Sequence, residues 1–211
     1  MLSRIDDIIY PNRCEVIEFS DPQRFVYPIF KNGSSSLTEY ARQQGYKTLL
    51  NEQIKKIKII DVILRNPQDR FISGLNTFLW MTKRDHPDLD TKTILHFAEN
   101  YLFLNRHYAP QISWLINLTK YTSQDAEFKF HSMDFITELT NLKTKPNREQ
   151  QLLELSDIDR LKNNIYNEIY LRIDNILLSF INQTVTFKEI LDSIKTQDPV
   201  AFQKLKCIAL D

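Results

Sequence analysis

The chain has 211 residues, 42% of them apolar and 26% charged, as expected of a globular protein long enough to bury one sizeable core. Lysine plus arginine and aspartate plus glutamate number 27 each, so a net charge of zero gives no reason to expect nucleic acid as a partner, and any anion binding must be local. No run approaches the roughly 20 apolar residues of a membrane span, and the first residues, Met1 to Asp7, carry neither a signal peptide's apolar core nor a transit peptide's acid-free pattern.

In chain order, the apolar run Phe25-Val26-Tyr27-Pro28-Ile29-Phe30 predicts a strand. Lys31-Asn32-Gly33-Ser34-Ser35-Ser36 then predicts a tight loop opening into a helix, on which Leu37, Tyr40 and Ala41 recur at helical spacing and which Gly45 closes. Ile57 to Leu64 is β-branched and nearly continuous in apolar character, the mark of a strand buried on both faces of a parallel sheet. Asn66 caps a second helix with Pro67 at its first position and Asp69 three residues after the cap. Its apolar face is Phe71, Leu75, Phe78 and Leu79, with Gly74 permitting a close approach. Ile94, Phe97, Ala98, Tyr101 and Leu102 repeat the helical spacing, and Glu127-Phe128-Lys129-Phe130 predicts another strand. A polar loop from Asn141 to Gln151 precedes a long helix that begins at Ser156 and Asp159 and carries Ile165, Ile169, Ile173, Ile176, Leu177 and Phe180 on one face. Thr186 and Glu189 form a last capping box. This alternation predicts one domain over residues 1–211, a three-layer α/β/α fold with a central parallel sheet, with residues 184–211 as a helical C-terminal appendage. Cys14 and Cys207 stand near opposite ends without metal-ligand spacing, so two free thiols in the reducing cytoplasm are the expectation.

Two segments carry chemistry. Unpaired N–H groups at a helix N-terminus, with the positive end of the helix dipole, favour an anion, and Lys31 adds a full charge while three serines add donors. A helix capped by serines is the plainer reading of the same residues. The second segment, Arg65 to Ser73, follows the next strand, and two such segments suit a ligand with two separated anionic groups. Neither is a Walker A motif or a dinucleotide fingerprint, because both glycine spacings are absent.

Lys31, Gly33, Ser34 and Ser35, followed by Arg65, Asn66, Pro67, Asp69 and Ser73, resemble the two nucleotide-binding segments of the sulfotransferases that use 3′-phosphoadenosine 5′-phosphosulfate (PAPS). The likeness is to the carbohydrate-type and bacterial-type branch. It extends to His107-Tyr108-Ala109-Pro110-Gln111, similar to a His-x-x-Pro-Gln element, and to Asn141-Leu142-Lys143-Thr144-Lys145, similar to a later nucleotide loop whose usual asparagine is absent at the aligned position. The resemblance implies a P-loop-NTPase-like sulfotransferase fold, PAPS as co-substrate, no metal, and a small-molecule or carbohydrate acceptor with a hydroxyl or amine. It implies that Lys31, Asn32, Gly33, Ser34, Ser35 and Ser36 surround the 5′-phosphosulfate. Arg65 and Ser73 would hold the 3′-phosphate, and Lys143 and Thr144 would return to the nucleotide.

Negative charge develops on the oxygen leaving sulfur, so Lys31 and the amides of Gly33 to Ser35 are the expected stabilisers. His107 is the leading candidate for general base, with an ordinary pKa of about 6.5; the same histidine also suits a helix cap. Glu52, before the second strand, is the alternative base. The acceptor would be walled by residues 83–93 and 105–111. Two other readings stay open: a catalytically silent relative that keeps the nucleotide site, and a kinase. The kinase would need Mg²⁺ ligands, for which Asp61, inside a strand, is badly placed.

Overall fold

The computed structural model describes residues 14–100, 106–141, 153 and 169–206. Strands β1 (Glu15–Ser20) and β2 (Gln23–Tyr27) form an antiparallel hairpin, Ile17 opposite Val26. Helix α1 (Ser34–Gln44) leads to β3 (Lys47–Leu50), a 3-10 turn (Asn51–Lys56) and β4 (Ile59–Ile63). Helices α2 (Pro67–Asp85), α3 (Thr91–Asn100) and α4 (Gln111–Thr119) precede β5 (Glu127–His131) and α5 (Asp134–Thr140). Then come α6 (Ile169–Leu178), β6 (Thr184–Thr186), α7 (Phe187–Gln197) and α8 (Pro199–Leu205).

The six strands form one open sheet in the order β3-β1-β2-β4-β5-β6. Only β2, β4 and β5 run parallel, so the expected parallel sheet is confined to the centre of a mixed one. β1 and β2 are antiparallel for a simple reason: the two-residue turn between them leaves no room for the crossover a parallel pair requires. On one face Ile17, Phe19, Val26 and Ile63 pack against Leu37 and Ala41 of α1 and against Phe135 and Ile136 of α5. On the other, Val16, Tyr27, Ile60, Val62, Phe128 and Phe130 pack against α4, α6, α7 and α8. A smaller cluster joins Phe71, Leu75 and Leu79 of α2 to Ile94 and Leu95 of α3 and to Tyr108.

Local signals position these elements as expected. Asn66 Oδ1 accepts from the backbone N–H of Gln68 at 3.0 Å and of Asp69 at 3.1 Å. Gly45 ends α1 in the left-handed region, φ 71°. Thr186 and Glu189 close a reciprocal capping box, with the Thr186 N–H donating to Glu189 Oε2 at 2.7 Å. The C-terminal segment is largely helical, as expected, in α7 and α8, and it is also part of the sheet and the core. It supplies the edge strand β6, and Ile190, Ile194, Ala201 and Leu205 are buried in the main core. A three-residue strand is too short to display a period-2 pattern, which is why it escapes a sequence reading.

Asp61 sits mid-strand and buried; Arg24 Nη1 donates to its Oδ1 at 3.2 Å, and His131 Nε2 lies 2.6 Å from the same oxygen. Cys14 is buried, which pushes its thiol up to about 12, and it has no disulfide partner among the described residues. Cys207, the start of the expected long helix and the residues from Tyr101 to Asn105 lie outside the described residues. Among the described residues no helix is long and apolar enough to cross a membrane.

Candidate functional site

β2 and β4 are neighbours and parallel, Val26 opposite Asp61 and Tyr27 opposite Val62, yet the chain leaves them in opposite directions. From β2 it crosses one face as α1 and returns at β3, beyond β1; from β4 it reaches α4 on the other face and returns at β5. Such a reversal opens a crevice outside the carboxyl ends of the two strands, the place where open α/β sheets bind ligands. Both sequence-predicted segments start there.

The first loop turns tightly. The Asn32 N–H donates to Ile29 O at 3.1 Å, and Lys31 and Gly33 both occupy the left-handed region, φ 66° and 76°. A Cβ on Gly33 would also stand 2.1 Å from Ile136 Cδ1. Gly33 is the N-cap of α1, with no side-chain capping bond, so Ser34, Ser35 and Ser36 fill the first turn and do not cap it. Their amides are the groups that an α-helix leaves without an internal partner. Asn32 is 1% exposed; its Nδ2 donates to Ile63 O and to Gln111 Oε1, each at 2.7 Å. Its Oδ1 is buried with no hydrogen-bond partner among the described residues.

The second loop is tied to the first. Arg65 Nη1 donates to Lys31 O at 3.0 Å, and burial draws the Arg65 pKa below its ordinary value while the charge of Asp69 opposes this. Gln111 clamps both loops. Its Oε1 accepts the Arg65 N–H at 3.0 Å as well as Asn32 Nδ2, and its Nε2 donates to Arg65 O at 3.0 Å. Gln111 is itself held at the start of α4, where Asp174 of α6 accepts the N–H of Gln111 at 2.8 Å and of Ile112 at 3.0 Å. Burial pushes the Asp174 carboxyl up to about 6, opposed by those N–H bonds and by the charge of Arg70.

Helix α2 gathers the remaining groups. Arg70 is fully buried, donating from Nε to Phe30 O at 3.0 Å and from Nη1 to Ala109 O. Lys31 Nζ donates to Thr77 Oγ1, one turn beyond the buried Ser73. Gly74 lies against the 107–108 backbone, where a Cβ would meet His107 O at 2.0 Å. That approach brings His107 beside Lys31, and its ring meets Phe30 edge-on with centroids 5.6 Å apart. Burial first, then the charges of Lys31, Arg106 and Arg70, draws its pKa down to about 4, well below the ordinary histidine value. His107 is therefore a neutral imidazole at pH 7.

The structure thus joins Lys31, Asn32, Gly33, Ser34 to Ser36, Arg65, Ser73 and His107 at one edge of the sheet. Glu52 is not in this group. It is exposed on the 3-10 turn after β3, with β1 between that strand and β2, a lateral offset of about 10 Å at two strand spacings. Lys143 and Thr144 lie outside the described residues. Sequence reasoning missed Arg70, Thr77 and Asp174, and recognised Gln111 without its role. Arg70 had a readable signal, since i+3 and i+4 spacing puts it beside Ser73 and Gly74 on the buried side of α2. In comparison with known proteins, the chain matches no protein-family model and is significantly similar to no curated protein and no solved structure.

Proposed function

We propose that the protein is a PAPS-dependent sulfotransferase that transfers a sulfuryl group to an acceptor hydroxyl. The observation that carries this reading is the pairing of the Lys31 and Arg65 loops at the carboxyl ends of adjacent parallel strands, locked by Gln111. Concentrated positive charge at that edge, in a chain of zero net charge, favours a doubly anionic nucleotide. The acceptor oxygen forms a bond to sulfur, the bond from sulfur to the bridging oxygen breaks, and its electron pair leaves on the 5′-phosphate as adenosine 3′,5′-bisphosphate (PAP). Lys31 and the α1 amides would stabilise that oxygen, Arg65 and Ser73 would read the 3′-phosphate, and His107 would take the acceptor proton. In this reading the fold belongs with the P-loop-like sulfotransferases, and no metal takes part.

PAP is expected to stabilise the protein without Mg²⁺. At a hundred times its Kd it adds about 2.7 kcal/mol, a rise of roughly 5–11 °C in Tm for a chain of this size. A thermal-shift titration against 5′-AMP decides the matter, since equal stabilisation by the monophosphate removes the role given to Arg65 and Ser73.

The protonation state of His107 sets the pH dependence. A base must be deprotonated, and its pKa of about 4 keeps it so down to mildly acidic pH. kcat/KM, which reports the free protein, should hold through pH 6 and fall only toward about 4. Bound phosphates offset the charges of Lys31, Arg106 and Arg70, so the acidic limb of kcat should lie higher. His107→Ala should lose transfer and keep PAP affinity; an acidic limb unchanged in that variant would exclude His107 as the base. The low pKa also makes His107 a weak proton acceptor, and this favours, as a second reading, a nucleotide-binding protein without transfer activity. Measurable release of PAP from PAPS with any acceptor would exclude it.

A further inference from the structure

Helix α2 runs from the Lys31 contact into a cleft between its C-terminal half and the start of α3. The cleft has a volume of about 430 Å³ and is lined chiefly by Phe78, Met81, Thr82, Leu89, Thr93 and Ile94. That volume lies in the range of small-molecule sites, roughly 300–1,000 Å³. Phe78 also meets Tyr108 edge-on, with centroids 5.4 Å apart, so the cleft adjoins the segment that carries His107. Met81 follows Thr77 by one helical turn on the same side of α2, a rise of about 6 Å, and Thr77 Oγ1 is where Lys31 Nζ rests.

We propose that this cleft holds the body of the acceptor, and that the acceptor is an uncharged lipophilic alcohol or phenol, not a sugar. The inference rests on the reading of Lys31 as the residue beside the transferred group. Phe78, Met81, Leu89 and Ile94 supply an apolar wall, and the polar remainder of the lining is Thr82, Thr93, Asp85 and His86. Asp85 is engaged by Arg84, whose Nε and Nη2 donate to its carboxylate at 2.7 Å and 3.2 Å. Thr93 Oγ1 donates to Asp90 at 2.7 Å, which occupies that hydroxyl's proton. A sugar ring would need several donors and acceptors where this wall offers hydrocarbon, and each unmatched hydroxyl would lose its bonds to water. A planar or alicyclic body with one hydroxyl fits the lining. With its ring at Met81 and Phe78, that hydroxyl would reach back one helical turn toward Lys31 and His107.

Equilibrium dialysis with 2-naphthol, with and without PAP, tests the assignment. Leu89 is 40% exposed, so Leu89→Arg should fold normally while placing a charge at the mouth of the cleft. Wild type should bind 2-naphthol, Leu89→Arg should weaken binding at least tenfold, and Met81→Trp should do the same by filling the space. The PAP-induced rise in Tm should remain in both variants, and a hundredfold excess of methyl galactoside should not displace the naphthol. No binding to wild type, equal binding in both variants, or displacement by the sugar would each overturn the proposal. Naphthol binding that depends on Leu89 and Met81, in a protein that PAP fails to stabilise, would overturn the nucleotide reading alone and leave the cleft's ligand class standing.

Discussion

Gly74→Ala is expected to destabilise the protein by at least about 2 kcal/mol. Two effects of opposite sign compete. Alanine gains about 1 kcal/mol over glycine in a helix interior, and Gly74 lies well inside α2. Against this, the new methyl would stand 2.0 Å from His107 O, 2.6 Å from the same carbonyl carbon and 3.0 Å from Tyr108 Cα. All three are backbone atoms, so no rotamer change relieves the clash, which puts it at or above the upper end of the roughly 1–3 kcal/mol that overpacking typically costs. The net loss corresponds to a fall of roughly 4–8 °C in Tm at this chain length. The clash pushes the 107–108 segment off α2, so the His107 imidazole should also move away from Lys31. Thermal unfolding followed by circular dichroism checks the sign: a rise in Tm would mean that helix propensity dominates and the close approach is not made.

Lys31→Ala and Arg65→Ala should fail in different ways if the proposed transfer is right. Lys31 would face the oxygen on which charge grows, an interaction stronger in the transition state than in the ground state. Its loss should lower kcat by about 10²–10³-fold with PAPS saturating, the scale for a preorganised charge stabiliser. Arg65 would meet a 3′-phosphate whose charge does not change during reaction. Removing a charged hydrogen bond worth about 1.5–3 kcal/mol should weaken PAP roughly 10–100-fold and leave kcat at saturation closer to normal. Arg65 also donates to Lys31 O, so some loosening of the first loop will accompany its loss. Calorimetry for affinity and single-turnover kinetics for chemistry separate the two. Normal turnover in Lys31→Ala would remove the leaving-group role.

Much of the local architecture was legible in the residues because its causes are local. Asn66 caps α2, Gly45 ends α1, and Thr186 with Glu189 opens α7, since each device acts within three or four residues. The central strand β4 announced itself because it is covered on both faces, which leaves a nearly continuous apolar run, and β5 because Phe128 and Phe130 stand two apart among polar residues. β1, β3 and β6 gave no such run. They lie toward or at the edges of the sheet and carry charged or polar residues, and the edge strands β3 and β6 are fixed by pairing with strands distant in sequence.

The same division holds at the site. Residue order alone put Lys31 with Gly33, and then Arg65, at successive strand ends, with Ser73 about two turns into the following helix, because a helix that follows a strand starts at that strand's carboxyl end. It could not show that Gln111, 46 positions after Arg65, would satisfy both backbone groups of that residue, or that Asp174 would in turn hold Gln111. Nor could it show His107 brought against Gly74 and lowered to about 4. Hydrogen bonds, desolvation and the mutual field of Lys31, Arg70 and Arg106 depend on distances between segments far apart in sequence, and only the packing of α2, α4 and α6 on the sheet sets those distances.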